Sequence, residues 1–300
     1  MDDSLFNFVD NGTEIGDEIQ KIIGSKDKIL NSSFSYYSRN TLIGTIFTNR
    51  NPYFVKILMG LECQKLTQDE VESFSSIQQS LPKDSGLRTP AVIGYNSKLG
   101  IIILEYISIP TVSQLLRKYR ENEKSSCDRM AVGLVDRMGG FLQVFHASTY
   151  NSLGDPLLYA DFSPNNIMID CDLSTAILID PPRNIQFGSA HSDIAVSLFE
   201  ITRTMMKLRY SVSTISEARI AFLRAYYRGV ISSNDLVSIH GEEKVFFRAV
   251  CQRYRWFWRY EDWVKQLVRG AFFLTVLHFY RVSIMPLFHR REAQSNRVTA

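Results

Sequence analysis

The sequence predicts an α+β protein in two parts, a small, mainly antiparallel β lobe followed by a larger α-helical lobe. Three observations carry this reading. Residues 28 to 58 hold three strand-like stretches separated by short polar turns, SRN and NRN. A further apolar strand, GIIILEYI (100 to 107), is followed at Ser108 to Pro110 by a change of pattern. Beyond that change the long segments place their apolar residues at helical spacing. The boundary therefore falls after Ile107, giving domains over 1–107 and 108–300.

Taken in order, NGTEIGDEIQKIIG (11 to 24) spaces Ile15, Ile19, Ile22 and Ile23 as a helix, with Asn11 or Thr13 to cap it and Gly24 to end it. KILNSSFSYY (28 to 37), TLIGTIFT (41 to 48) and YFVKIL (53 to 58) read as an antiparallel meander. TQDEVESFSSIQQSL (67 to 81) is helical, with Val71, Phe74, Ile77 and Leu81 on one face. Pro90 leads into AVIGYN and then the strand from 100 to 107. In the second lobe, helices are expected over 112–122 and 128–148. The latter has Met130, Leu134, Met138, Phe141 or Leu142, and Phe145 as its buried stripe. A short strand pair around YADFSPNNIMID and AILIDPP precedes helices at 193–208, 216–229, 242–268 and 271–288.

At 300 residues, with 45% hydrophobic and 22% charged residues, the composition is that of a globular chain able to bury a core. The net charge of +3 is too small to argue for nucleic acid, and no nucleic-acid motif is present. Its distribution says more. Residues 241–300 hold eleven Lys and Arg against five Asp and Glu, leaving the first 240 residues net acidic. The four cysteines are scattered and the first ten residues are acidic and unlike a signal peptide, so free thiols and a cytoplasmic setting are expected. The apolar run 271–288 contains His278, Arg281 and Pro286, which argues against a membrane span. It reads as a buried helix or, with Arg290 and Arg291, as a peripheral contact with a membrane surface.

The chemistry-bearing residues lie in YADFSPNNIMID and AILIDPP. Asp161 and Asn166 are five apart in a turn-forming stretch, and Asp180 ends the next strand. Phosphoryl transfer needs a lysine on the phosphates, oxygen ligands for magnesium, and a group that orients and deprotonates the acceptor hydroxyl. Lys56 sits in the third strand, and the next helix carries Glu70 and Glu72, either able to pair with it. The backbone from Glu105 to Ile107, through Tyr106, ends the strand entering the connector, where an adenine would lie. Alone, each residue also has a structural reading: Asp161 and Asp180 as turn formers, Asp193 as a helix cap, Glu70 as a solvated helix position. Their order along the chain is what makes the set informative.

Over roughly residues 28–205 these motifs resemble the aminoglycoside phosphotransferase, choline kinase and fructosamine kinase group of small-molecule kinases, which share a bilobal protein-kinase-like fold. YADFSPNNIMID resembles that group's catalytic loop, with Tyr159 where histidine is usual. AILIDPP resembles its second metal motif, and SDIAVSLFE the helix whose aspartate, Asp193, braces the loop. The resemblance implies Asp161 as base and Asn166 and Asp180 as magnesium ligands. It also implies Lys56 on the ATP phosphates and Glu70, rather than Glu72, as its partner. No glycine-rich G-x-G-x-x-G joins the first two strands, which sets the chain apart from protein kinases. The activity implied is ATP-dependent transfer of the γ-phosphate to the hydroxyl of a small molecule. A neutral or anionic sugar or a lipid-linked glycan precursor suits the basic C-terminal segment. A catalytically silent nucleotide- or partner-binding protein is the second reading, with Tyr159 in its favour, and a protein kinase the third.

Overall fold

The computed structural model describes residues 13–243 and 245, apart from 39, 123, 124, 171, 184 and 233. The sequence readings beyond residue 245, namely the aromatic stripe, the last apolar helix and the basic C-terminus, lie outside the described residues, as do Cys171 and Cys251. The elements run α1 (Glu14–Ile23), β1 (Ile29–Ser38), β2 (Thr41–Thr48), β3 (Pro52–Leu58), α2 (Cys63–Ser80), β4 (Leu87–Arg88), β5 (Val92–Asn96) and β6 (Ile101–Glu105). Then come α3 (Val112–Glu121), α4 (Ser125–Ser148), β7 (Leu157–Leu158), β8 (Ile167–Ile169), β9 (Ala176–Leu178), β10 (Gln186–Phe187), α5 (Ala190–Lys207) and α6 (Val212–Tyr226).

The chain divides into two compact units. The first takes residues up to 109 together with 175–186; the second takes 110–174 and the chain from 187. Where the sequence reading drew one boundary at 107, the segment 175–186 joins the first unit, because β9 runs parallel to β4 and pairs with it.

The first unit is a five-stranded antiparallel sheet in the order β1-β2-β3-β6-β5. Side chains alternate across a pleated strand, and that period sorts the residues. Val55, Ile57, Ile101 and Ile103 lie on one face with Leu42, Ile46 and Ile19, covered by Ile15, Ile22 and Ile23 of α1. Leu58, Ile102 and Leu104 lie on the other, against Val71 and Phe74 of α2. Each fully buried Ile or Val contributes about 1.5–3 kcal/mol relative to exposure. Lys56 pairs in register with Ile102 and so belongs to the α2 face. Gly100 precedes β6 at φ +72, and a Cβ there would lie 2.0 Å from the Leu58 carbonyl oxygen; the strand runs over Ile101–Glu105, inside the expected 100–107.

In the second unit, α3 begins with a capping box. Thr111 Oγ1 accepts from the Gln114 amide and the Gln114 side chain accepts from the Thr111 amide. Helix α4 buries Ala131, Leu134, Val135, Met138, Leu142 and Phe145, whereas Met130 is exposed, a correction to the expected stripe. The other expected positions are buried, joined by Ala131 and Val135, and Gly139 lies against α6. A Cβ there would sit 2.2 Å from the Phe222 carbonyl oxygen, so glycine permits the two helices to approach. Arg219 of α6 reaches Glu243 at 2.8 Å and the Leu198 carbonyl of α5 at 3.0 Å, both buried.

Candidate active site

In the first unit, Lys56 is held between two carboxylates. Its Nζ donates to Glu70 Oε1 at 2.6 Å and to Asp180 Oδ1 at 2.9 Å. The helical phase of α2 explains the choice of glutamate: Glu70 shares the inward face with Phe74 and Ile77, while Glu72 is exposed. The second oxygen of Glu70 accepts from Arg183 Nε at 3.1 Å. Lys56 is 6% exposed and Glu70 1% exposed, so both charges have left water. Burial is the largest influence on Lys56 and by itself lowers its pKa. The pull of Glu70 and then Asp180, through charge and hydrogen bonds, outweighs it, and the net shift is upward: the amine stays an ammonium.

Glu105 directs its carboxylate away from this cluster. It takes a bidentate fork from Arg88 at 2.6 and 2.9 Å and accepts from the Ala91 amide at 3.1 Å. The hydrogen bond from Arg88 is the leading reason its pKa is lowered. The Glu105 amide donates to the Ala91 carbonyl. This leaves the Glu105 carbonyl, with Tyr106 and Ile107, as the backbone the adenine expectation concerns. Tyr106 is exposed and Ile107 half-buried.

In the second unit, residues 159–166 form a tight loop. Asn166 Nδ2 donates to Asp161 Oδ2 at 2.9 Å and to the Asp161 carbonyl at 3.2 Å, so the five-residue spacing brings these side chains together. Backbone bonds from Ser163 to Asp161 and from Asn166 to Ser163 close the loop, and the Ser113 amide at the start of α3 holds the Pro164 carbonyl at 2.8 Å. Beneath the loop lies Asp193, 1% exposed. Its carboxylate accepts the amides of Tyr159 at 2.6 Å and Ala160 at 2.8 Å, and contacts His146 Nε2 at 3.1 Å. His146 Nδ1 lies 2.7 Å from the Tyr226 hydroxyl, so the network assigns the proton to Nε2, with Nδ1 accepting. Ser189, not Asp193, caps α5; the reading of Asp193 as a cap is corrected because the helix starts three residues before it. The Tyr159 ring is fully buried, edge-on to Phe145 and Phe162.

Three participants were not visible in the sequence. Arg183 follows two prolines in a stretch without periodicity. His146 sits at the end of an apolar helix and looks like an ordinary helix residue. Glu200, on α5, has its pKa raised, first by burial; Arg203 lowers it and the charge of Asp161 raises it further. Its spacing of seven from Asp193, two turns along α5, is the one signal that places it toward the loop.

Each unit carries an oxygen donor of the kind a hard cation takes. Asp180 offers a carboxylate, 35% exposed, and Asn166, its nitrogen committed to Asp161, offers an amide oxygen. Among the described residues no group of three or more His, Cys, Asp or Glu gathers as a metal site. A carboxylate oxygen, as in the first unit, and an amide oxygen, as in the second, are each of the hard donor type that magnesium takes.

No family model and no curated protein matches this sequence. Solved structures do match. An ethanolamine kinase of Plasmodium vivax aligns with a TM-score of 0.50 at 9% identity, over 86% of this chain and 83% of that one. A spectinomycin phosphotransferase, solved with ADP and spectinomycin, gives 0.47 at 14% identity over 89% and 96% of the two chains. An aminoglycoside-3′-phosphotransferase of type VIII gives 0.47 at 14% identity over 74% and 96%. These neighbours are small-molecule kinases, the group the motifs resemble. The fold, a mainly antiparallel sheet with helices followed by a helical unit, is the α+β, protein-kinase-like one shared with the ethanolamine kinase. Among the described residues no helix is long and apolar enough to cross a membrane.

Proposed function

We propose that the protein is an ATP-dependent phosphotransferase that moves the γ-phosphate to the hydroxyl of a small molecule, most readily a sugar or a cell-envelope glycan precursor. The observation that carries this is the Lys56–Glu70–Asp180 cluster. A buried ion pair stabilises a fold no better than apolar residues of the same volume, and strongly coupled buried charges concentrate at functional sites. The loop of Asp161 and Asn166, fixed from below by Asp193, supports the same reading.

In this reading Lys56, kept cationic by its carboxylates, binds the ATP phosphates. Asp180 and Asn166 hold magnesium, which when bound neutralises charge on the phosphate oxygens. Asp161 orients the acceptor hydroxyl and takes its proton, with Asn166 fixing the carboxylate through Nδ2. The backbone from Glu105 to Ile107 receives the adenine. Tyr159 occupies a position usually held by histidine; its amide donates to Asp193 and its buried ring packs edge-on to Phe145 and Phe162, so the loop is held with tyrosine in place. This favours an active enzyme over a silent binder. The ethanolamine kinase among the structural neighbours acts, by its name, on a small amino alcohol. Amino alcohols therefore join sugars, phosphorylated sugars and glycan precursors as acceptor classes. The setting is cytoplasmic, with the basic C-terminal residues as a peripheral membrane contact.

The test is direct. Purified protein is incubated with Mg-ATP and a panel of these acceptors, and products carrying an added phosphoryl group are sought by mass spectrometry. Turnover on one class that is lost in Asp161→Ala supports the enzyme. Mg-ATP binding without turnover on any class supports the silent binder.

A further inference from the structure

The Glu70 carboxylate has two buried oxygens, and different cations hold them. Oε1 accepts from Lys56 at 2.6 Å and Oε2 from Arg183 at 3.1 Å. Lys56 in turn donates to Asp180 at 2.9 Å. Arg183, Glu70, Lys56 and Asp180 thus form a run of alternating charge that starts and ends on one short segment, three residues apart. Pro181 and Pro182 lie between the ends; with φ fixed at both, the segment spans a set distance. Nothing in the proposed chemistry requires Arg183, which has no part in holding phosphate, metal or acceptor.

The charge count shows what Arg183 does. Lys56 and its two carboxylate partners, Glu70 and Asp180, sum to one negative charge, so a phosphate approaching Lys56 meets a cation more than cancelled by anions. Adding Arg183 brings the four residues to neutral, one charge more favourable to an anion. In low-dielectric surroundings this difference is felt strongly. The second oxygen of Glu70 would otherwise lack a charged donor and would draw Lys56 further toward itself.

Resting on the phosphotransferase reading above, we infer that Arg183 is a positioning residue for nucleotide phosphate. By compensating Glu70 it leaves Lys56 free to bind the α- and β-phosphates, without touching the nucleotide itself.

Binding of Mg-ATP and of adenosine is measured on the full chain and on Arg183→Gln, Arg183→Lys, Glu70→Gln and the Glu70→Gln/Arg183→Gln double variant. Arg183→Gln weakens Mg-ATP about tenfold, the size of a typical coupling between contacting charged residues, and leaves adenosine within about twofold. Arg183→Lys recovers part of the loss, because charge returns without the Nε geometry. In the Glu70→Gln background, removing Arg183 has no further effect. In turnover, KM for ATP rises while kcat and the acceptor KM change little. Equal Mg-ATP affinity in wild type and Arg183→Gln overturns the inference while leaving the phosphotransferase reading intact. Parallel loss of adenosine binding, or a full further loss in the Glu70→Gln background, overturns it as well, since either means a general structural role. Wild-type protein that binds no Mg-ATP overturns the functional reading and the inference with it.

Discussion

Replacing Asp193 by alanine tests how the Asp161 loop is held. The carboxylate accepts three hydrogen bonds, from the Tyr159 and Ala160 amides and from His146, at 2.6, 2.8 and 3.1 Å, and is 1% exposed. A hydrogen bond to a charged group contributes about 1.5–3 kcal/mol, and a buried donor left without a partner costs about 1–3 kcal/mol. Neighbouring terms do not add, so the loss for Asp193→Ala is on the order of 3–5 kcal/mol, the usual cost of breaking a buried charged network. That is a large share of a total stability of about 5–15 kcal/mol. Asp193→Asn keeps one acceptor oxygen but turns an NH₂ toward a backbone amide, so its cost falls to about 2–3 kcal/mol. Urea unfolding followed by far-UV circular dichroism should give midpoints in the order wild type, Asn, Ala, with phosphoryl transfer falling in the same order. An Ala variant that unfolds at the wild-type urea concentration, or no earlier than the Asn variant, would refute the argument that this carboxylate supports the loop.

Further outcomes follow from single residues. Ala160 sits at φ +61, where an L side chain costs about 1–2 kcal/mol, so Ala160→Gly should stabilise by about 0.5–1 kcal/mol in the same urea experiment after the extra unfolded-state entropy of glycine. For Glu200 the folded pKa is raised above its ordinary value of 4.5, first by burial. The folded state therefore prefers the protonated acid, and the ionisation cost is absent below 4.5 and grows as pH rises through the folded pKa. Glu200→Gln should thus raise Tm relative to wild type at pH 7 and much less at pH 4; an equal difference at both pH values would contradict the burial argument. Asp161→Ala should lower kcat by about 10²–10⁴ while Mg-ATP binding persists, the share general base catalysis supplies; lost nucleotide binding would instead give Asp161 a different role.

The sheet and most helices were legible because their signals are periodic. YFVKIL and GIIILEYI are short apolar runs bounded by turns, as strands buried on both faces are, and the two-residue period of a strand then puts Lys56 on the α2 face. Offsets of four and seven from Glu70 to Phe74 and Ile77 turn Glu70 inward and leave Glu72 exposed. What lacked a period stayed hidden. β4 and β9 are two and three residues long, too short for a pattern, yet their parallel pairing draws 175–186 into the first unit. α2 begins at Cys63 rather than Thr67 because its N-terminus has no side-chain cap to mark it. Met130 was misplaced because hydrophobicity alone cannot fix the phase of a helix that is apolar on several faces. Tyr159 invited attention to its side chain, and what the sequence could not mark is the bond from its backbone amide to Asp193. Arg183 and His146 act through single long-range contacts, for which a sequence carries no local mark.

The central claim is that Asp180, beside Lys56, brings a divalent cation and nucleotide phosphate into the protein. Thermal unfolding of wild type and Asp180→Ala with ATP, in the presence and absence of magnesium, measures this directly. Stabilisation by a ligand follows mass action, about 2.7 kcal/mol at a hundred times Kd. Wild type should gain stability with ATP only when magnesium is present, and Asp180→Ala should gain almost none. A wild-type Tm indifferent to Mg-ATP, or an equal rise in the alanine variant, would contradict the account.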